Sequence, residues 1–294
     1  MLLQAVTKPG ILHEAYSTFW NYSLGNQLLA LFQCRGRGIE PGPLESLRRW
    51  RELGRYVRKG EKALTLCMPI QIKCTEWDRK RQENGLVPEE DASQAPGIRT
   101  IFMYKKNWFV LSQTDGEPFV PEPIPNWNKA TALQTLNIRE ENFTMLNGNA
   151  QGYATGVATV AVSRRAAMPH KTLFHEIAHV ILGHHGVGSL NSVREVEAEC
   201  VALICCEVLG LAGPEFSRAY VQHWLAGDSI PERSAQRIFQ AADRILHGGL
   251  QRDLQRDRVN SAVSDKMSPF PSIPEPCYAM SHSKFSVWIG CVVC

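Results

Sequence analysis

The first third of the chain carries helical and then strand-like hydrophobic patterns. Apolar residues over 11–34 recur at helical spacings that Gly25 interrupts, which predicts two short helices. A further short helix is predicted around 44–53. Residues 63–73 and 98–111 are rich in β-branched and aromatic residues and predict two paired strands joined by a polar loop. These elements together predict a small α+β module.

A proline-rich segment separates this module from the second half. Residues 117–125, EPFVPEPIP, contain four prolines in nine positions and fit neither a helical nor a strand periodicity. After a short helix and short strands, the pattern is helical to about residue 247. We therefore predict an α+β chain with domains at 1–125 and 126–250, the second mainly helical with a short sheet. A poorly ordered, Ser/Pro-rich tail is expected at 251–294.

Charge, cysteine content and hydropathy indicate which classes of protein the chain can belong to. A net charge of +3 over 294 residues does not make the chain a polycation, so a nucleic-acid surface requires local clustering of cations. Nine cysteines form an odd set with the adjacent pair Cys205 and Cys206, which predicts reduced thiols. The first residues lack the features of a signal peptide, and no apolar run reaches the roughly 18 residues of a membrane span. The expected location is cytoplasmic, with no membrane partner.

Residues 173–185, LFHEIAHVILGHH, place ionisable side chains inside an apolar, helix-like segment. Buried ionisable groups are costly unless they are paired or ligated. His175 and His179 lie one helical turn apart, so that both imidazoles can bind one Zn²⁺. Glu176 would lie beside the open position of that ion and accept a proton from water. The segment therefore predicts a metal site with Glu176 as catalytic base.

A catalytic zinc site needs a third protein ligand, and several residues are candidates. Glu195 and Glu199 lie one turn apart on the next predicted helix, and either could bind the metal while the other accepts a hydrogen bond from a ligand histidine. A capping box with Ser192 would instead give Glu195 a structural role. His185 has the spacing of the third ligand in metzincins, but Leu182 stands where that motif requires glycine.

The segment from Arg35 to Lys62 is basic and contains aromatic residues. It has nine basic and four acidic residues, a local excess of five positive charges. Cations mixed with rings are typical of surfaces that bind phosphates and stack unpaired bases. The alternative is a solvated basic face that packs through Trp50. The candidate DNA-contacting residues are Arg48, Trp50, Arg55, Lys59 and Lys62.

Five stretches carry a resemblance to a known family. They are NYSLGNQLLALFQCRG, GPLESLRRWRELGRYVRKGEKAL and NWFVLSQTDG in the first half, and KTLFHEIAHVILGHH and REVEAECVA in the second. Over about residues 10–215 the chain resembles the ArdC antirestriction proteins. The resemblance implies a single-stranded DNA-binding domain followed by a gluzincin-like metallopeptidase domain. Glu195 is then the third metal ligand and Glu199 the second acidic residue of the gluzincin pair.

The resemblance also implies a function. It indicates an antirestriction protein of a mobile element, such as a conjugative plasmid, that protects incoming DNA from host restriction. The implied partners are single-stranded DNA and a host protein substrate of the restriction system. The implied cofactor is Zn²⁺, or another divalent ion such as Mn²⁺ in its place. The alternative is a non-proteolytic DNA-coating protein in which the metal is structural.

Overall fold

The computed structural model describes residues 2–73, 98–144, 150–155, 158–184, 191–225 and 230–251. Over these residues the chain is α+β, as predicted, with helices in excess of short strands. None of the helices in the described ranges is long and apolar enough to cross a membrane. His185, the predicted loop and all of the predicted tail except Gln251 lie outside the described residues.

Three helices open the chain: α1 (Leu2–Thr7), α2 (Ile11–Phe19) and α3 (Leu24–Arg37). The two helices predicted over 11–34 are therefore present. The break comes at residues 20–23, before α3, so Gly25 lies in the first turn of that helix. Both helices have one buried apolar face, which includes Leu12 and Phe19 of α2 and Leu28 and Leu31 of α3.

The next segment forms a small antiparallel structure. The predicted pair of strands is confirmed, because β3 pairs antiparallel with β4 from Ile98 to Trp108, with one register irregularity between Leu64 and Thr65. Strand β4 also pairs with β1, giving the order β1-β4-β3, and β2 pairs with β5 in a separate ribbon. The elements are β1 (Leu44–Ser46), α4 (Leu47–Glu52), β2 (Arg55–Val57), β3 (Leu64–Lys73), β4 (Ile98–Val110) and β5 (Thr114–Gly116).

The remaining elements combine a short sheet with four longer helices. Strand β8 is central in the sheet, parallel to β6 and antiparallel to β7. Helix α6 packs on β7 and β8, and α7 packs between α6, α8 and α9. The elements are α5 (Lys129–Thr135), β6 (Arg139–Asn142), β7 (Gly152–Thr155), β8 (Thr159–Val162), α6 (Pro169–Ile181), α7 (Asn191–Val208), α8 (Pro214–Leu225) and α9 (Glu232–Gly248).

The described residues form two compact units that are not consecutive in sequence. One combines residues 2–43 with 118–251, and the other spans 44–117. The opening helices join the first unit because α1 packs on α8, α2 on α7 and α3 on α9. The backbone N–H of Gly10 donates to Glu207 Oε1 on α7 at 2.8 Å. These units divide the chain at other positions than the predicted boundary at residue 125, and the domain assignment stays a prediction.

Helix α7 is the most deeply buried helix of its unit. Its core includes the three cysteines Cys200, Cys205 and Cys206, which are free and fully buried. Burial raises the pKa of the Cys206 thiol to about 12, so it stays neutral. Such thiols pack as small apolar groups. The prediction of reduced thiols agrees with this arrangement for the described cysteines.

A partly buried carboxylic acid links α9 to the start of α3. Asp243 Oδ1 accepts a hydrogen bond of 2.8 Å from the backbone N–H of Leu24, one of the N–H groups that a helix start leaves unpaired. Burial raises the pKa of Asp243 to about 7, although the Leu24 hydrogen bond lowers it. The folded state therefore favours the neutral acid.

We expect the substitution Asp243→Asn to remove a pH dependence of stability. The pKa of Asp243 is raised on folding, so the contribution of this residue to the free energy of unfolding should fall as the pH rises from about 4 to 7, by up to about 1.4 kcal/mol per pH unit. The amide still accepts from Leu24 and does not ionise. Urea unfolding at pH 5 and pH 7 should show the variant gaining stability relative to wild type at the higher pH. An equal difference at both pH values would contradict this assignment.

Candidate functional site

Helix α6 carries the predicted metal-binding histidines. The turn that ends this helix places a further histidine next to them. Pro169 occupies its first turn, where a missing N–H costs nothing. Gly183, with φ +67°, ends the helix in the left-handed conformation. The backbone N–H of His184 then donates to the carbonyl of His179 at 3.0 Å. The turn that stops the helix thereby returns His184 to the vicinity of His179.

The structure brings the three predicted ligands together. The Nε2 atoms of His175 and His179 lie 3.0 Å apart. Carboxylate oxygens of Glu195 lie 3.3 Å from the first nitrogen and 3.6 Å from the second. Two ligand atoms of a tetrahedral zinc ion are separated by about 3.3 Å, given bond lengths of about 2.0–2.1 Å. The three side chains therefore fit one face of a tetrahedral site.

The charges around His175 also favour a cation. Burial by itself lowers the pKa of His175, but hydrogen bonds with Glu195 and Glu199 raise it to about 10. The surrounding carboxylates thus stabilise a positive charge at this point. A divalent ion bound to the two imidazoles would supply that charge in place of a proton.

Glu176 is buried beside the three ligands. Burial raises its pKa to about 7; His175 acts in the opposite direction, and Glu195 raises the pKa further. The carboxylate approaches strand β7 where Gly152 has no side chain. A Cβ added at Gly152 would lie 3.0 Å from Glu176 Oε1 and 2.6 Å from Thr172 Cγ2. A carboxylate with a pKa near neutrality is suited to accept and return a proton.

Glu199 supports His175 from the side opposite Glu195. Its Oε2 lies 3.0 Å from His175 Nδ1, and its Oε1 lies 2.7 Å from Lys171 Nζ. Burial raises the pKa of Glu199, but His175 and Lys171 together lower it to about 2. An ionised Glu199 accepts the Nδ1–H and leaves Nε2 for the metal. Of the alternatives left open by the sequence, this geometry favours Glu195 as ligand and Glu199 as its supporting acceptor.

His179 has a comparable support that passes through a second histidine. The Nδ1 atoms of His179 and His184 lie 2.9 Å apart, and His184 Nε2 lies 2.9 Å from Glu197 Oε2. Arg237 on α9 lies 3.2 Å from the same oxygen. One set of tautomers satisfies the chain: His179 Nδ1–H donates to His184, whose Nε2–H donates to Glu197. This leaves His179 Nε2 for the metal.

Sequence reasoning did not find three of these supporting groups: Lys171, Glu197 and Arg237. Their partners are fixed by how α7 and α9 pack against α6, which no local spacing reveals. A signal for His184 was present, because Gly183 ends the helix and the residue after such a glycine folds back over the last turn.

The DNA-contacting prediction requires a correction at Trp50. Its side chain is fully buried, and its Nε1–H donates to the carbonyl of Phe109 at 2.8 Å. A ring in the core cannot stack on a base. Arg55 is half-buried, and its guanidinium donates to Thr114 Oγ1 at 2.9 Å and to Thr114 O at 3.0 Å. Arg48, Lys59 and Lys62 are exposed, as a DNA-contacting role requires.

Sequence reasoning placed Tyr56 among the rings of the basic segment but missed two further exposed rings of this unit, Phe102 and Tyr104. Tyr56, Phe102 and Tyr104 are 61%, 68% and 71% exposed. The last two alternate along β4, where residues two apart face the same side. That alternation was readable in the sequence, although the pattern alone does not show which face is covered.

Comparison with known families identifies the first part of the chain. Residues 4–107 match the family model described as the N-terminal domain of anti-restriction factor ArdC. Over these residues the chain is similar to the N-terminal domain of ArdC. The resemblance to ArdC inferred from the sequence is confirmed over these residues. No curated protein matches the chain.

Two crystal structures of the antirestriction ArdC protein from the R388 plasmid resemble this chain. The metal-free structure has 16% identity and a TM-score of 0.45, covering 85% of this chain and 96% of that one. The Mn(II)-bound structure has 15% identity and a TM-score of 0.46, covering 84% and 94%.

We expect His184→Ala to weaken metal binding by about 10- to 100-fold, as is typical when the support of a ligand histidine is removed. The variant takes away the acceptor that orients His179. Chelator competition measures the metal affinity, and urea unfolding without metal measures stability separately. His170→Ala is the matched control, because His170 lies on the same helix but is exposed. Equal metal affinity of the two variants would exclude this role for His184.

We expect Trp50→Phe to lower stability without weakening DNA binding. It leaves the buried carbonyl of Phe109 without the indole donor, which should cost about 1–3 kcal/mol of unfolding free energy. Arg48→Gln on the same helix is the control, since it changes an exposed side chain and should alter stability by less than about 0.5 kcal/mol. A folded Trp50→Phe protein with reduced affinity for single-stranded DNA would restore Trp50 as a contact residue.

Proposed function

We propose that this chain is an antirestriction protein of a mobile element that binds single-stranded DNA and cleaves peptide bonds at a metal centre. One observation carries the proposal: ligand atoms of His175, His179 and Glu195 lie together beside the buried Glu176, in a chain whose residues 4–107 match the N-terminal domain of ArdC. This combination supports the gluzincin-like interpretation of the sequence.

The donor set indicates the class of metal. Two imidazole nitrogens and one carboxylate suit Zn²⁺ and leave a fourth position open, as in catalytic zinc sites. Mn²⁺ is the second candidate, because imidazole and carboxylate ligands also bind it. When bound, the ion would polarise a peptide carbonyl and lower the pKa of a coordinated water.

Different side chains of the protein would transfer protons and orient the ligands around that ion. Glu176, with a pKa near 7, accepts a proton from water and returns it to the leaving amine. Glu199 and His184 hold the two imidazoles so that each Nε2 faces the metal. Removal of a general base of this kind typically slows a reaction by about 10²- to 10⁴-fold.

The proposed partners follow from the two parts of the chain. The unit formed by residues 44–117 contains exposed cations and exposed rings, which support binding to single-stranded DNA. The metal centre would act on a host protein of the restriction system. Incoming DNA meets restriction in the cytoplasm, so we place the protein there.

A non-proteolytic alternative has one observation in its favour. His175 and Glu176 are only 7% and 3% exposed, and such deep burial also suits a metal that stabilises the fold. Protection would then come from coating the DNA strand. The two functions differ in whether Glu176 is required.

We expect Glu176→Gln to abolish protection against restriction while it preserves metal content and DNA affinity. The amide has the shape of the acid but cannot take up the proton. Plasmid transfer into a restricting host measures protection, elemental analysis measures bound metal, and fluorescence anisotropy measures affinity for single-stranded DNA. Full protection by this variant would instead support the coating function.

His175→Ala serves as the second variant in the same experiments. It removes a metal ligand, so its metal content should fall well below one ion per chain. Stoichiometric metal in this variant would exclude His175 as a ligand and remove the basis for the catalytic centre.

A further inference from the structure

The β3–β4 hairpin presents two large aromatic rings to solvent. The side chains of Phe102 and Tyr104 are among the most exposed large hydrophobic side chains of the described chain, at 68% and 71%. Rings of this size normally contribute to a core or an interface. Two of them exposed next to each other on one strand therefore indicate a binding surface.

The two rings lie on one face together with a cation. Phe102, Tyr104 and Lys106 alternate along β4, so they point to the same side of the hairpin. Their cross-strand partners on β3 are Pro69, Cys67 and Thr65, respectively. These three residues are small, so they leave much of each ring uncovered. Met103 and Lys105 point to the opposite side.

The charge of the two strands, β3 and β4, complements a phosphate backbone. Residues 64–73 and 98–110 contain four basic residues and no acidic residue. Of these, Lys105 and Lys106 are exposed. An acid-free strand pair with exposed rings offers cations to phosphates and flat surfaces to bases.

By contrast, the basic segment that the sequence predicts as the DNA-binding surface is partly neutralised by nearby carboxylates. Arg48 and Arg49 both pair with Glu52, at 2.9 Å and 3.3 Å. Arg58 pairs with Glu61 at 3.0 Å and lies 3.5 Å from Asp115. Carboxylates next to these cations reduce their attraction for phosphate, and none is present in the hairpin strands.

The distance between the two rings favours a DNA strand whose bases are not stacked on each other. Residues two apart on a strand are separated by about 6.8 Å. This is roughly twice the 3.4 Å rise per nucleotide along one strand of a duplex. Neighbouring bases can reach both rings only in an extended strand whose bases are unpaired and separated, which a duplex does not offer.

We propose that Phe102 and Tyr104 stack adjacent bases of single-stranded DNA while Lys106 binds the backbone phosphate. The inference rests on the proposed DNA binding and assigns it to the hairpin face, in place of the buried Trp50. The rings supply the preference for single strands, and the cations supply a salt-dependent attraction that is independent of sequence.

Alanine variants of the two rings test this assignment. Fluorescence anisotropy with a labelled oligonucleotide should show single-strand affinity falling by about 5- to 150-fold for Phe102→Ala and for Tyr104→Ala. Tyr104→Phe keeps the ring and should bind within about twofold of wild type. Met103→Ala is the matched control, because Met103 is 46% exposed on the other face of the same strand. It should leave the affinity unchanged.

The salt dependence of the affinity distinguishes the contribution of base stacking from that of the phosphate contact. Lys106→Gln should lower the slope of log affinity against log salt by about one, whereas Phe102→Ala should leave that slope unchanged. Urea unfolding confirms that each variant is folded. If wild type binds single strands and the Phe102→Ala, Tyr104→Ala double variant binds equally well, the stacking assignment is wrong although DNA binding stands. If wild type itself fails to bind single strands, the proposed DNA-binding function fails as well.

Discussion

The second half of the chain depends on the electrostatic requirements of two largely buried imidazoles one helical turn apart. The side chains of His175 and His179 are 10% and 13% exposed, so their four ring nitrogens have little access to bulk water. Each Nδ1 has a polar partner, Glu199 for His175 and His184 for His179. Both Nε2 atoms face one point beside Glu195. Burial of such groups is tolerable only when all their partners are present at once, so the ligands and their supports form a single cooperative arrangement.

This arrangement joins several helices. The ligands come from α6 and α7, and the support of His179 continues through Glu197 to Arg237 on α9. Arg237 also donates to the carbonyl of Leu182 at the end of α6. The order of the metal centre is therefore inseparable from the packing of three helices, and a bound ion would stabilise that packing as well as any chemistry.

The features that depend on local geometry could be predicted from the sequence. The features that depend on contacts between distant parts of the chain could not. The spacing of His175 and His179 was sufficient because i and i+4 always share a helix face. The paired strands were predictable from their β-branched and aromatic composition. The burial of Trp50 was not, because composition does not show which ring enters the core. The association of residues 2–43 with the second half also depends on helix packing across the whole chain.

The close approach of β7 to α6 has a consequence for recognising relatives that keep this site. Position 152 has no room for a side chain, since even a methyl group would meet Thr172 and Glu176. A homologue that keeps the histidine motif but carries a larger residue at the equivalent position must have shifted either the strand or the acid. The residue at this one position, read from the sequence of a homologue, therefore indicates whether the homologue can keep the same arrangement of the strand and the acid.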